Sequence, residues 1–301
     1  MVSIFQQSIG EVAALTAAFL WAIATLYYAK IGGHFPPIRL NLLKGLIALV
    51  LVGVALPFSN ESMQGFSELA VLLLLASGIL GIGLGDTAYF EALNRLGPRR
   101  ALLMETLAPP IAAVLSFLFL KDALSWRAWL GMAITMVGVA WVISERTPEA
   151  SVEDRSLVFH GAIFGFLAAA CQAGGTVLSS AAFAKTDIGA LGSAGLRLVA
   201  GIAFMPLLIW WRGKPKAQVA AKRTDVRRPW LILVFATFIG TFLCLWLQQI
   251  SLKATSAGIA QTLLVTSPLF GIPLAMIQGE RVSLRAVLGV LAAIGGIALF
   301  F

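Results

Sequence analysis

Residues 279–300, GERVSLRAVLGVLAAIGGIALF, reproduce the pattern of residues 121–142, which lie 158 positions earlier in the chain. The matching positions pair Ser125 with Ser283, Arg127 with Arg285, Gly131 with Gly289, and Gly138 with Gly296. The same shift lays Pro110 over Pro268. Each copy has the length of about 20 residues that crosses a bilayer as a helix. A constant shift over a membrane-length segment indicates an internal duplication.

The composition is that of a chain embedded in lipid. Hydrophobic residues make up 59% of it, charged residues only 12%, and the mean hydropathy is +0.91. About a quarter of an ordinary globular domain is charged. The apolar runs are long and do not alternate in polarity, which favours helices over the strands of a membrane barrel. The sequence therefore predicts an all-α integral membrane protein with ten transmembrane helices, at approximately residues 10–30, 36–57, 68–94, 98–120, 125–144, 157–184, 189–211, 229–253, 256–278 and 283–301.

The net charge of +8 reflects membrane topology rather than nucleic-acid binding, because most Lys and Arg residues lie between the apolar segments. Sixteen of them fall at the connections after the odd-numbered segments, and seven of these crowd between residues 212 and 228. Only four fall on the opposite side: Lys121, Arg127, Lys185 and Lys253. The positive-inside rule places the 212–228 connection in the cytoplasm of a cell with an inner membrane, so both termini are expected to face outward.

The polar connection from Glu145 to Ser156 separates two units of five segments, assigned to residues 8–146 and 157–301. An odd number of spans in each unit implies that one repeat is inverted relative to the other, with a central site where they meet. Other positions agree: Gly83 and Tyr89 lie over Gly240 and Trp246 at a shift of 157. Such repeats in so apolar a chain are typical of secondary transporters.

These features resemble the drug/metabolite transporter superfamily, and most closely its EamA-type ten-helix carriers. The resemblance rests on the G-x5-aromatic stretch, a mid-helix proline and an acid followed nine residues later by Gly, as in Asp122 to Gly131 and Glu280 to Gly289. It implies a secondary transporter of small metabolites, often an exporter of amino acids. Members of the same fold exchange sugar phosphates or nucleotide sugars. The resemblance also implies that both termini lie in the cytoplasm, whereas the distribution of Lys and Arg predicts that they face outward.

Two cations occupy matching places in the repeats. Lys44 lies over Arg197 at a shift of 153, each about one third along its segment. Because ionisable side chains inside a membrane are costly, those that persist are candidates for function. Together the two could bind an anionic group of a substrate. The alternative, equally favoured by the sequence, is that both side chains reach a membrane face and fix their helices.

Carboxylates deep in the segments occur in the first repeat alone, since Glu105 lies over Leu263 and Asp86 over Leu243. Either could accept a coupling proton or bind a substrate ammonium group. Glu105 is the first candidate, because it precedes Pro109 and Pro110, which bend a helix and free backbone carbonyls. Its alternative is a salt bridge to Lys44 or Arg197 with no substrate contact.

Asp86 also ends the sequence Gly-Leu-Gly-Asp, which resembles the GxGD signature of intramembrane aspartyl proteases. That chemistry needs a second aspartate within the membrane, and the other aspartates fall in connections or at their edges. Gly78, Gly81 and Gly85 form a stripe of small residues expected to permit close helix packing. We find no other catalytic motif and expect neither a cofactor nor a metal site.

Neutral residues complete the predicted central site: Trp21, Gln172, Tyr89, Trp246, Gln248, Gln249 and Gln261. The aromatic ones are more often packing or interfacial anchors than substrate contacts, whereas a buried amide needs hydrogen-bond partners. The sequence as a whole predicts an exporter of a small metabolite, with the bilayer and a possible coupling proton as its other partners. An exchanger of phosphorylated compounds and, more remotely, an intramembrane enzyme are the alternatives. Oligomeric state does not follow.

Overall fold

The computed structural model describes residues 2–59, 61, 67–120, 125–143, 152–184, 186–212, 227–254, 257–277 and 282–299. Throughout these ranges the chain forms helices and short turns, with no strand. The α-helices, numbered in chain order, are α1 Val2–Ile31, α2 Pro37–Ala55, α3 Glu68–Gly78, α4 Asp86–Met104, α5 Ala108–Leu120, α6 Trp126–Ile143, α7 Val152–Phe183, α8 Ala190–Arg212, α9 Arg227–Thr237, α10 Cys244–Ala254, α11 Ala257–Leu264, α12 Ser267–Ile277 and α13 Leu284–Ala298. The predicted all-α class is confirmed for the described residues.

Six helical stretches of the described chain are long and apolar enough to cross a membrane: Ser8–Ile31, Pro37–Phe58, Glu68–Ala112, Arg155–Phe183, Ala190–Trp211 and Arg227–Ala254. Trp129–Val142 and Leu284–Gly296 are shorter apolar helices. Each of the ten predicted segments is helical over most of its described residues. Ten membrane crossings stay a prediction.

The longest stretch, Glu68–Ala112, is broken in its middle. Gly97 has φ 76° and ψ 169°, and Pro98 follows it. The positive φ lies in a region that glycine adopts without steric penalty, and the proline removes a backbone donor, so a continuous helix ends here. The predicted boundary between residues 94 and 98 is therefore confirmed.

Two π-helical segments lie at matching places in the halves, Ile79–Gly85 before α4 and Phe238–Leu243 before α10. At the shift of 157, residues 79–85 lie over residues 236–242, so the two segments coincide at five positions. Such wide turns are rare and occur often at functional sites. The Asn41 amide donates to the carbonyls of Ile82 and Gly83 at 2.7 and 3.3 Å. In the second half, the Tyr28 hydroxyl lies 3.0 Å from the Thr241 hydroxyl.

Helices α6 and α13 pack against each other through the glycines of the repeated stretch. A Cβ atom on Gly131 would overlap the Gly296 carbonyl, and one on Gly138 would lie 2.9 Å from the Gly289 carbonyl oxygen. Residue numbers rise along α6 while they fall along α13, so the helices run antiparallel. Thr135 donates to the carbonyl of Ala293, its own counterpart at the shift of 158, at 3.1 Å.

This contact predicts a sharp difference between two neighbouring glycines of α13. Gly296→Ala would bring a methyl group within 2.6 Å of the Gly131 carbonyl oxygen, whereas Gly295 has no atom within 4 Å of a Cβ position. We expect Gly296→Ala to lower the free energy of unfolding by roughly 1–3 kcal/mol, the usual effect of overpacking. Gly295→Ala should leave it unchanged or raise it by up to about 1 kcal/mol, because alanine favours the helix more than glycine does. Thermal melting in detergent measures both, and equal melting points would contradict the contact.

Candidate functional site

A cavity of about 100 Å³ lies where helices of the two halves meet. Its wall includes eight of the eleven residues that the sequence predicts for the site: Trp21, Lys44, Asp86, Glu105, Gln172, Arg197, Gln248 and Gln261. They come from α1, α2, α4, the 3-10 turn Glu105–Leu107, α7, α8, α10 and α11. The remaining wall is largely apolar or small, with Thr241 and Cys244 as further polar members.

Lys44 and Asp86 form an ion pair at this cavity. The Nζ–Oδ2 distance is 2.5 Å, and the side chain of Lys44 is 2% exposed while that of Asp86 is 21% exposed. The ammonium group also lies 5.4 Å from the centre of the Phe90 ring. Asp86 is the first residue after the π-helical segment of the first half. The pair brings together two residues that the sequence analysis assigned to opposite substrate groups, so their charges already compensate each other.

Glu105 lies where the helical path of the first half is interrupted. It begins a 3-10 turn, Glu105–Leu107, immediately before the Pro109 and Pro110 region of α5. The Trp21 indole donates to both carboxylate oxygens, at 3.0 Å to Oε1 and 2.8 Å to Oε2. Among the described residues Glu105 has no ion pair. The alternative of a salt bridge to Lys44 or Arg197 is therefore not what the structure shows.

Arg197 is the uncompensated cation of the cavity. The residue is 1% exposed, and its Nη1 donates to the Gln248 side-chain oxygen at 3.4 Å. Its Nε has no hydrogen-bond partner, and the described part of the chain provides no ion pair for it. A buried charge without a counter-ion is expensive, so this guanidinium is suited to an anionic group from outside the protein.

Close helix packing makes room for this guanidinium. A Cβ atom on Gly78 would overlap the Arg197 backbone, and one on Gly81 would lie 3.0 Å from the Arg197 Nη2 atom. Gly85 faces Cys171 of α7 at 3.1 Å in the same way. The predicted packing role of the glycine stripe is thus realised, and Gly81 in addition borders the cavity.

Three amides surround the charged groups. Gln172, Gln248 and Gln261 line the cavity, and the side-chain oxygen of Gln261 is buried without a hydrogen-bond partner. Unpaired buried amide atoms beside a cavity are available to a polar ligand, since hydrogen bonding offsets their desolvation. Gln249, also considered from the sequence, is buried outside the wall.

Tyr89 and Trp246, the other two predicted residues, do not belong to the wall. Tyr89 packs behind Trp21, with ring centroids 5.1 Å apart, and its hydroxyl lies 2.8 Å from that of Thr25. Trp246 packs against Phe242 at a centroid distance of 6.0 Å. Both rings therefore make packing contacts outside the wall, which matches the packing alternative given for aromatic residues.

Thr241 and Cys244 are cavity residues that the sequence analysis did not select. Both follow the second π-helical segment or lie in it, and their signal in the sequence is only that they are small and weakly polar. Within the described ranges, no group of three or more His, Cys, Asp and Glu side chains could hold a metal ion.

A helical membrane protein with a charged central cavity between two related halves is the class that this geometry defines. The sequence matches the model of the EamA-like transporter family twice, over residues 8–144 and 159–301. The chain belongs to the EamA-like transporter family, and is therefore a multi-pass membrane protein of a transporter family within the drug/metabolite transporter superfamily. The resemblance inferred from the sequence is confirmed.

The fold has a solved counterpart. A crystal structure of a protein superposes with a TM-score of 0.66 at 18% sequence identity, covering 97% of this chain and 96% of that one. Identity this low shows a shared fold alone. Curated proteins give no significant match to the sequence.

Proposed function

We propose that the protein is a secondary transporter that exports a small zwitterionic metabolite, such as an amino acid, by alternating access to the central cavity. The observation that carries this proposal is the pair of uncompensated groups in the wall, Arg197 from the second half and Glu105 from the first. Arg197 binds the anionic group of the substrate. Glu105 binds its cationic group or carries a coupling proton.

The ion pair narrows the substrate class. An exchanger of phosphorylated compounds would use two free cations to compensate a phosphate group. Lys44 is already neutralised by Asp86, so Arg197 is the cation left for the ligand among the described wall residues. One cation and one carboxylate complement a zwitterion better than a phosphate dianion. The cavity of about 100 Å³ favours a small solute.

Alternating access is supported by the relation between the halves. The antiparallel contact of α6 with α13 joins Thr135 to its repeat counterpart Ala293 and pairs the four glycines reciprocally, Gly131 with Gly296 and Gly138 with Gly289. This reciprocal pattern is expected around a two-fold axis in the membrane plane. The two π-helical segments border the cavity at matching positions. We therefore propose ten spans in two inverted repeats, residues 8–146 and 157–301, in the cell membrane, with the 212–228 connection in the cytoplasm.

The proposed role of Glu105 has a direct test in proteoliposomes, with a substrate first found by thermal shift in a screen of amino acids and phosphorylated metabolites. Glu105→Gln keeps the shape of the side chain and an acceptor for Trp21, but it cannot exchange a proton or neutralise an ammonium group. We expect transport to fall at least about tenfold and to lose its dependence on a pH gradient. Uptake and counterflow measure both.

The matched control is Glu68→Gln, since Glu68 is an exposed carboxylate in the first turn of α3, away from the cavity. It should transport as the wild type does. An unchanged rate and pH dependence in Glu105→Gln would remove Glu105 from the mechanism. Strict dependence on a phosphorylated substrate on both sides would instead favour the exchanger.

A further inference from the structure

Glu61, in the connection between α2 and α3, reaches across to the second half. Its carboxylate accepts hydrogen bonds from the backbone of Leu191, at 2.9 and 3.2 Å, and of Gly192, at 3.3 Å. These amides belong to the first turn of α8, where a backbone N–H has no acceptor within the helix. A Cβ atom on Gly189 would overlap the carboxylate, so the approach depends on a glycine there. A charged acceptor at the positive end of a helix makes a strong contact.

A second contact holds the same segment from another side. Lys253, at the end of α10, donates from Nζ to the carbonyl of Asp187 at 3.1 Å and of Ile188 at 2.9 Å. The short segment before α8 is thus held by a carboxylate of the first half and an ammonium group of the second. Helix α8 also carries Arg197, about two turns further along.

No acid lies over Glu61 in the second repeat. By the repeat, the connection containing Glu61 corresponds to residues 213–226, which include four Lys or Arg and a single acid, Asp225, and that acid lies over Glu68 at the shift of 157. The Glu61 carboxylate therefore has no counterpart in the sequence of the second repeat, and the membrane face on which Glu61 lies is here named the Glu61 face. Such an asymmetry between inverted repeats would make the closed conformation more stable on one face than on the other.

We propose that Glu61 is a latch between the halves, which keeps the central cavity closed on the Glu61 face. The latch rests on the alternating access proposed above. When the Glu61 face opens, the first turn of α8 must separate from Glu61. The separation exposes the helix amides to water and moves Arg197 together with α8. Weakening the latch shifts the protein towards the conformation open on the Glu61 face.

Cys244 provides a native reporter, since it lines the cavity. In a Cys171→Ala background, a membrane-impermeant methanethiosulfonate reagent is applied to intact cells and to inside-out vesicles. Glu68→Cys, in a background with both native cysteines replaced by alanine, identifies which preparation exposes the Glu61 face. Glu61→Ala removes the latch, Glu61→Gln retains one uncharged acceptor, and Glu68→Gln is the matched control.

We expect Glu61→Ala to speed modification of Cys244 from the Glu61 face about tenfold or more, with Glu61→Gln in between and Glu68→Gln at the wild-type rate. If Glu61→Ala does not fold, the Glu61→Gln rate decides. Rates unchanged within twofold, or faster only from the opposite face, would overturn the latch. Labelling needs no substrate, so faster labelling without transport of any metabolite contradicts the proposed function and supports the latch.

Discussion

Replacing Arg197 by Met is expected to reduce transport about 30-fold or more. The guanidinium is buried and has no counter-ion among the described residues, and its Nε lacks a hydrogen-bond partner. If a substrate anion fills that position, its removal costs the bound state about 2–5 kcal/mol, the usual effect of truncating a buried charged partner. Each 1.4 kcal/mol corresponds to a factor of ten in binding. Counterflow of the screened substrate, with its concentration dependence, measures the loss.

The stability of the same variant separates binding from folding. Because an unpaired buried cation destabilises the protein that contains it, Arg197→Met should melt at the same temperature as the wild type or higher. It should also lose the stabilisation that substrate gives the wild type. Gln248→Leu removes the hydrogen-bond partner of Arg197 but leaves the charge, and it should reduce transport much less. A variant Arg197→Met that still transports at the wild-type rate would place the anion elsewhere.

Much of the architecture follows from the sequence because it depends on local rules. The glycines of residues 121–142 and 279–300 recur at a fixed shift, and they form the contact between α6 and α13. The break at Gly97 and Pro98 falls between two predicted apolar segments, since Gly97 permits a positive φ and Pro98 removes a donor. Polar residues deep in apolar segments predict the cavity, because lipid cannot solvate them.

The pairing within the cavity does not follow from the sequence, and the π-helical segments explain why. Each wide turn rotates the residues after it relative to the regular spacing of an α-helix. Asp86 directly follows one such segment, and Trp246 lies three residues after the other. Positions along a span are still predictable there, but the direction of a side chain around the helix is not. Asp86 thus faces Lys44, and Trp246 lies outside the cavity wall.

Breaking the ion pair on one side is expected to destabilise the protein strongly. Lys44→Met leaves the Asp86 carboxylate without its cation, and Asp86→Leu leaves a 2% exposed ammonium group without its anion. Each single change should lower the free energy of unfolding by about 3–5 kcal/mol, because an uncompensated charge remains buried. The double variant Lys44→Met/Asp86→Leu removes both charges and should recover most of that loss. Unfolding in mixed micelles measures all three.

The double variant also distinguishes the two roles assigned to Lys44. If Lys44 serves only as the structural partner of Asp86, both residues can be replaced together without loss of function. Substrate transport by the double variant should then stay within about fivefold of the wild-type rate, whereas Arg197→Met should lose far more. Glu91→Gln is the comparison, since it alters a more exposed ion pair with Arg95 one helical turn away and should cost less than about 1 kcal/mol. A double variant that is stable but inactive would show that Lys44 or Asp86 contacts the substrate. Its fold would be intact, so the loss of transport would have to come from a lost contact with the substrate.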